Sequence, residues 1–280
     1  MGSRPIAHWS GRQACCWACS VARATLCLGL ALLLAGCGSS PLGAAGTATL
    51  PLPTPFPEIA TTPSFQTWTT GRILAFRERM ESTGEPNYIG LGLQVLAPAA
   101  TLEAVETGGF ELVVSAQQPP AGWFATPLGW EPIVFAVHVS NPVRNLSLGE
   151  LARVFQGQSV NWSEFGGPDL EIMPVIPLRG DELREALAAK LMEQLRFTTQ
   201  ARLGPSPEAT VELVVQTPGA IGVLPLSAAG AGVSLLQVEG VAPAVGEERY
   251  PLQVEILGFA PQEPGGVVRE WLAWLQAEGW

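Results

Sequence analysis

Residues 130–169 read WEPIVFAVHVSNPVRNLSLGELARVFQGQSVNWSEFGGPD, and this stretch decides the fold. The run 132–139, PIVFAVHV, is almost continuously apolar and rich in β-branched residues, the pattern of a strand covered on both faces. Ser147 and Glu150 stand three apart at the head of the next apolar-periodic stretch. They form a capping box, and Leu146 with Leu151 can make the hydrophobic staple across it. Gly157 supplies the stop. A buried strand leading into a capped amphipathic helix is the building unit of an α/β protein.

The same alternation continues in both directions. Upstream, strands are expected at 58–61, 89–96 and 110–115, with a turn at 61–64 and helices at 65–80 and 98–107. Downstream, the pattern predicts a strand at 171–176, helices at 181–195 and 207–216, and strands at 220–224, 233–238 and 250–259. An amphipathic helix at 267–277 closes the chain, with Val268, Trp271, Leu272 and Leu275 inward. Continuous apolar strands separated by helices predict mostly parallel sheets covered on both faces, and the length fits two α/β lobes.

The 280 residues are 47% hydrophobic and 14% charged, with a net charge of -10. That apolar share supports a real core and excludes global disorder. The acidic balance excludes a nucleic-acid partner, since phosphate backbones are held mainly by Lys and Arg. All five cysteines lie at or before position 37, so disulfide frameworks and multi-Cys zinc sites are excluded downstream. Arg4, Arg12 and Arg23 precede the apolar run ATLCLGLALLLA at 24–35, which is too short to span a bilayer and suits a signal h-region. Leu34-Ala35-Gly36-Cys37 resembles the bacterial lipobox. Residues 1–36 are thus expected to be a lipoprotein signal peptide and Cys37 the acylated anchor, with 37–57 a Pro/Gly-rich tether. The three arginines belong to the 15 basic residues and no acid precedes Glu58, so 12 bases face 25 acids after cleavage.

The segments 130–138, Asn141-Pro142-Val143-Arg144-Asn145-Leu146-Ser147-Leu148, 151–158 and 161–169, with Gln216-Thr217-Pro218-Gly219-Ala220-Ile221-Gly222 further on, resemble the phosphate-binding proteins of phosphate ABC importers. The resemblance implies a type II periplasmic-binding-protein fold: two lobes, a ligand cleft and two hinge crossovers, placed near 131–137 and 224–228. Lobe one would comprise 58–131 plus 228–280, and lobe two 132–227. It further implies an extracytoplasmic, lipid-anchored protein at the cell membrane. Its partners would be a small phosphate-like anion and ABC permease subunits, with no cofactor and no metal.

Helix N-termini, hydroxyls and a forked guanidinium suit an oxyanion in such a cleft. The resemblance implies Arg179 as the main charged contact, with Thr62, Ser64, Ser115, Gln117 and Thr217 donating from strand-end loops. The sequence departs from the family where Asp181 and Glu182 replace the Ser and Thr of its Gly-Ser-Gly-Thr run. Two carboxylates at a helix start satisfy the dipole themselves and repel an anion. Arg179 can therefore equally pair with Asp181 or Glu182 at the surface. His138 reads as a strand-end residue, Trp271 and Trp274 as packing, and Trp123 or Trp130 as a candidate cleft wall. Enzyme readings lack support: no G-x-S-x-G elbow, Walker loop or usable thiol occurs. Two functions follow. One is an ABC-importer solute-binding lipoprotein; the alternative is a non-transport sensor or interaction protein that keeps the fold without phosphate binding.

Overall fold

The computed structural model describes residues 56–84, 90–192 and 196–278. The expected signal peptide, Cys37 and nearly all of the tether lie outside them, as does the start of the strand expected at 89–96. No helix among the described residues is long and apolar enough to cross a membrane.

Strand β1 (Glu58–Thr61) leads through a short 3-10 turn into helix α1 (Gln66–Thr83), then β2 (Gly92–Val95), α2 (Pro98–Glu106) and β3 (Leu112–Ser115). The long β4 (Phe124–His138) follows, then β5 (Asn145–Leu146), α3 (Leu148–Gln156), β6 (Met173–Pro177), α4 (Glu182–Lys190), β7 (Arg202–Gly204) and α5 (Pro207–Gln216). The chain finishes with β8 (Ala220–Pro225), β9 (Val233–Leu235), β10 (Gln237–Val238), β11 (Gln253–Ala260) and α6 (Gly266–Glu278). One curled, mixed sheet runs in the order β2-β1-β3-β11-β4-β8-β6-β7, with β9 also on β4. β1, β2 and β3 are parallel, as are β6, β7 and β8. The sheet is less parallel than expected, because β4 is antiparallel to β11, β8 and β9.

β4 is the spine. Its first half pairs β11 up to Pro132, and from Ile133 it pairs β8. The two halves of the sheet are the inner layers of two lobes, the architecture of a type II periplasmic binding protein. At the switch point Glu131 Oε1 accepts the Ser227 N–H at 2.6 Å, so the two segments expected to cross over do meet. The Tyr250 hydroxyl donates to the Ile133 carbonyl at 2.9 Å beside them.

One boundary differs from the expectation. Residue 228 does not begin the return to lobe one. After touching the hinge at Ser227 the chain goes back to lobe two, where β9 pairs the end of β4 and β10 pairs β5. The return falls between Val241 and Gln253. These strands are only two and three residues long, too short to show a period.

The capping box forms with both arms: Ser147 accepts from the Glu150 N–H and Glu150 from the Ser147 N–H. Gly157 ends α3 at φ 75°, where a Cβ would also stand 2.7 Å from Thr198 Oγ1. Beneath α3, Phe135 and Phe155 pack with centroids 5.6 Å apart, both fully buried. Each such burial contributes about 1.5–3 kcal/mol. Trp162 is likewise buried and donates its indole N–H to the Gly219 carbonyl at 2.9 Å. In α6, Val268, Trp271, Leu272 and Leu275 are inward, as the periodicity requires.

Candidate functional site

The cleft forms where strands of both lobes end. In lobe one, the Thr61 hydroxyl donates to the Val114 carbonyl at 2.9 Å and ties the end of β1 to β3. Pro63 opens the 3-10 turn that buries Ser64. β3 ends on Ser115, whose Oγ accepts the Gln117 N–H at 3.0 Å. In lobe two, β6 ends at Pro177, and the Leu178–Gly180 loop delivers Asp181 as the N-cap of α4. The Asp181 carboxylate accepts the Leu183 N–H at 2.9 Å, the local bond that makes Asp a good cap.

The two sets of groups meet directly. The Ser64 hydroxyl donates to the Asp181 carboxylate, at 2.9 Å to Oδ1 and 2.7 Å to Oδ2. The Ser115 hydroxyl donates to Glu182 Oε1 at 2.7 Å, with Gln117 Nε2 3.4 Å from the same oxygen. Glu182 Oε2 and Thr62 Oγ1 are buried. The Thr62 hydroxyl favours the charged form of Glu182 slightly, yet neither atom meets a partner in hydrogen-bond geometry. A cavity of only about 10 Å³ remains beside Ser64 and Asp181.

Burial raises the Glu182 carboxyl above its ordinary range, and the neighbouring Asp181 charge adds to this against the Ser115 bond. Burial also raises Asp181, against the Ser64 and Leu183 bonds. Among the described residues no ion pair reaches either carboxylate. This pocket is thus acidic, lined by hydroxyl donors and without a cation.

Four of the six expected site residues, Thr62, Ser64, Ser115 and Gln117, come together around Asp181 and Glu182. Two do not. Arg179 is exposed and makes no hydrogen bond or ion pair among the described residues. Gly180, at φ 84°, turns the chain after it so that Asp181 enters the cleft instead. The second arginine, Arg184, donates to the Pro177 carbonyl at 2.9 Å and lies over Phe197, so it serves lobe two internally. Thr217 precedes β8. Because β6 and β8 are parallel and the cleft lies beyond the carboxyl end of β6, Thr217 sits at the opposite edge. His138 ends β4 and bonds Ser140 at 2.7 Å, as a strand-end residue does. Trp130 is half exposed near the hinge, while Trp123 packs toward Phe259. The Glu131–Ser227 bond has only one signal in the sequence, an acid at an expected crossover.

The folded chain and its cleft define a two-lobed binding protein. Over residues 111–277 the sequence matches the PBP superfamily domain, and the chain belongs to this PBP-like family. It is 28% identical over 149 residues to the phosphate-binding protein PstS of Bacillus subtilis (strain 168), covering 51% of this chain and 49% of that protein. The chain therefore spans about half the length of the curated relative it matches. A phosphate ABC transporter substrate-binding protein from Clostridium perfringens, with bound phosphate, superposes with a TM-score of 0.66 at 19% identity, over 78% of this chain and 91% of that one. An ABC-type phosphate transport receptor from Vibrio cholerae gives 0.59 at 18% identity, over 79% and 94%.

Proposed function

We propose that this chain is an extracytoplasmic lipoprotein, anchored through acylated Cys37, that keeps the phosphate-importer binding fold as a sensor or interaction protein and does not carry phosphate. The observation that carries this reading is the occupation of the cleft by the protein's own carboxylates. Ser64 and Ser115, two of the donors expected for an oxyanion, are spent on Asp181 and Glu182. A phosphate arriving there would meet two buried acids with no arginine to offset them, and like charges at close range disfavour binding. It would also find the start of α4 already neutralised by Asp181, Glu182 and Glu185.

The second reading is a phosphate-carrying partner of an ABC permease, and kinship to the Bacillus subtilis phosphate-binding protein favours it. Titration calorimetry of the full chain with inorganic phosphate separates the two. No saturable heat is expected, and no thermal stabilisation. A carrier at about 100 times its dissociation constant would gain about 2.7 kcal/mol. Saturable phosphate binding by the wild type overturns the proposal in favour of the carrier.

A further inference from the structure

A groove of about 990 Å³ lies away from the acidic cleft, along one face of α1 and across the hinge. Small-molecule sites typically measure roughly 300–1,000 Å³, so its size is that of a ligand site. Its floor is the hinge itself, where Glu131 and Ser227 join. One wall carries Trp68 with the Arg72 guanidinium 5.4 Å from the ring centroid. Trp130, 51% exposed, stands opposite on β4, and Lys190 reaches the rim from the end of α4 in lobe two.

Inside the protein, Arg72 covers the ring of the buried Trp68 and its charge favours the ionised form of Glu131. Among the described residues neither Arg72 nor Lys190 forms an ion pair, and no side-chain hydrogen bond holds either cation. A half-exposed Trp on a strand beside a hinge fills no core. The groove's acids are unequal competitors for the cations. Glu131 is buried and already accepts the Ser227 N–H, while Glu248 is exposed at the mouth, where water screens it. Two cations outside any ion pair, beside the exposed Trp130 indole, match one ligand chemistry: a negative head for the cations and a flat apolar body for the ring.

We propose that this groove is a second binding site, for a small organic anion with a flat apolar body. The site is independent of the acidic cleft: its cations lie on α1 and at the far end of α4, and Asp181 and Glu182 do not line it. Because Lys190 belongs to lobe two and Arg72 to lobe one, an occupant held by both ties the two lobes together at the hinge.

The test uses the full chain with two fluorescent probes, anilinonaphthalene sulfonate and its uncharged analogue N-phenyl-1-naphthylamine. The sulfonate is expected to bind saturably at one per chain and more tightly than the neutral probe. Arg72→Ala, which keeps a good helix former on α1, should weaken the sulfonate on the order of tenfold, as loss of a bond to a charged group does, and leave the neutral probe unchanged. Trp130→Ala should weaken both probes. Lys190→Ala, at an exposed helix end, repeats the charge test if Arg72→Ala melts early. Equal affinity for the two probes, non-saturable binding, or sulfonate binding indifferent to both charge variants overturns the proposal.

Discussion

Replacing Glu182 by Gln tests the acidic cleft most directly. Gln keeps the shape and an acceptor oxygen for the Ser115 hydroxyl, 2.7 Å away in the wild type. Its amide nitrogen takes the place of Oε2, which lacks a partner, and faces the Thr62 hydroxyl, which also lacks one. One gained hydrogen bond contributes about 0.5–1.5 kcal/mol. Removing a buried charge that also repels Asp181 adds to this. At about 2–4 °C per kcal/mol for a domain of this size, the variant should melt at least about 2 °C higher at slightly alkaline pH. The pH dependence carries the sign. Burial places the folded-state carboxyls of Glu182 and Asp181 above their unfolded values. The stability they contribute is therefore full below the unfolded pKa and is lost as pH rises through the raised folded values. The advantage of Gln should be smallest in acid and widen with rising pH. Thermal melts of both proteins from acid to slightly alkaline pH read this directly. A variant that melts lower than wild type at every pH, or a gap that narrows as pH rises, refutes a strained buried carboxylate.

Gly219→Ala should destabilise lobe two. A Cβ there would stand 2.2 Å from the Glu171 backbone carbonyl, on a segment whose own carbonyl accepts from Trp162 and Met173. Backbone shifts of this kind cost about 1–3 kcal/mol, a fall of roughly 2–12 °C in a thermal melt. Cys37→Ala should abolish acyl labelling and release the protein from the membrane fraction, and unchanged labelling would remove the anchor from the proposed function.

Elements with strong local signals were legible in the sequence. The Ser147–Glu150 cap and the inward face of α6 depend on residues within four positions of each other, so periodicity and caps reveal them. The first half of β4 was not legible. Pro127 and Gly129 interrupt the strand pattern, so a strand is expected only from Pro132, yet the pairing absorbs them through a register shift at Ile256/Leu257 on β11, a partner far away in sequence. The same distinction governs the site. That Ser64 and Ser115 would face a cleft follows from their places after strands. That Asp181 and Glu182 would be their partners depends on contacts 117 and 67 residues long. The carboxylates were visible as charges at a helix start, but only the approach of lobe one buries them. Thr217 lies at the edge opposite its expected place because a strand's direction relative to its neighbour is not written in its residues.

The sheet order gives the chain a timetable. β11 lies between β3 and β4, although it is synthesised well over a hundred residues after β3. Until residues 253–260 emerge, β3 and the first half of β4 each keep an open edge, the kind of edge that invites pairing with another chain. Lobe two is continuous and has all its strands by Val238, so it can close while lobe one still waits. A chain threaded across a membrane from its N-terminus therefore carries one half with all its strands present and one half with open edges until its last strand arrives. A molecule truncated before Gln253 would never leave that state.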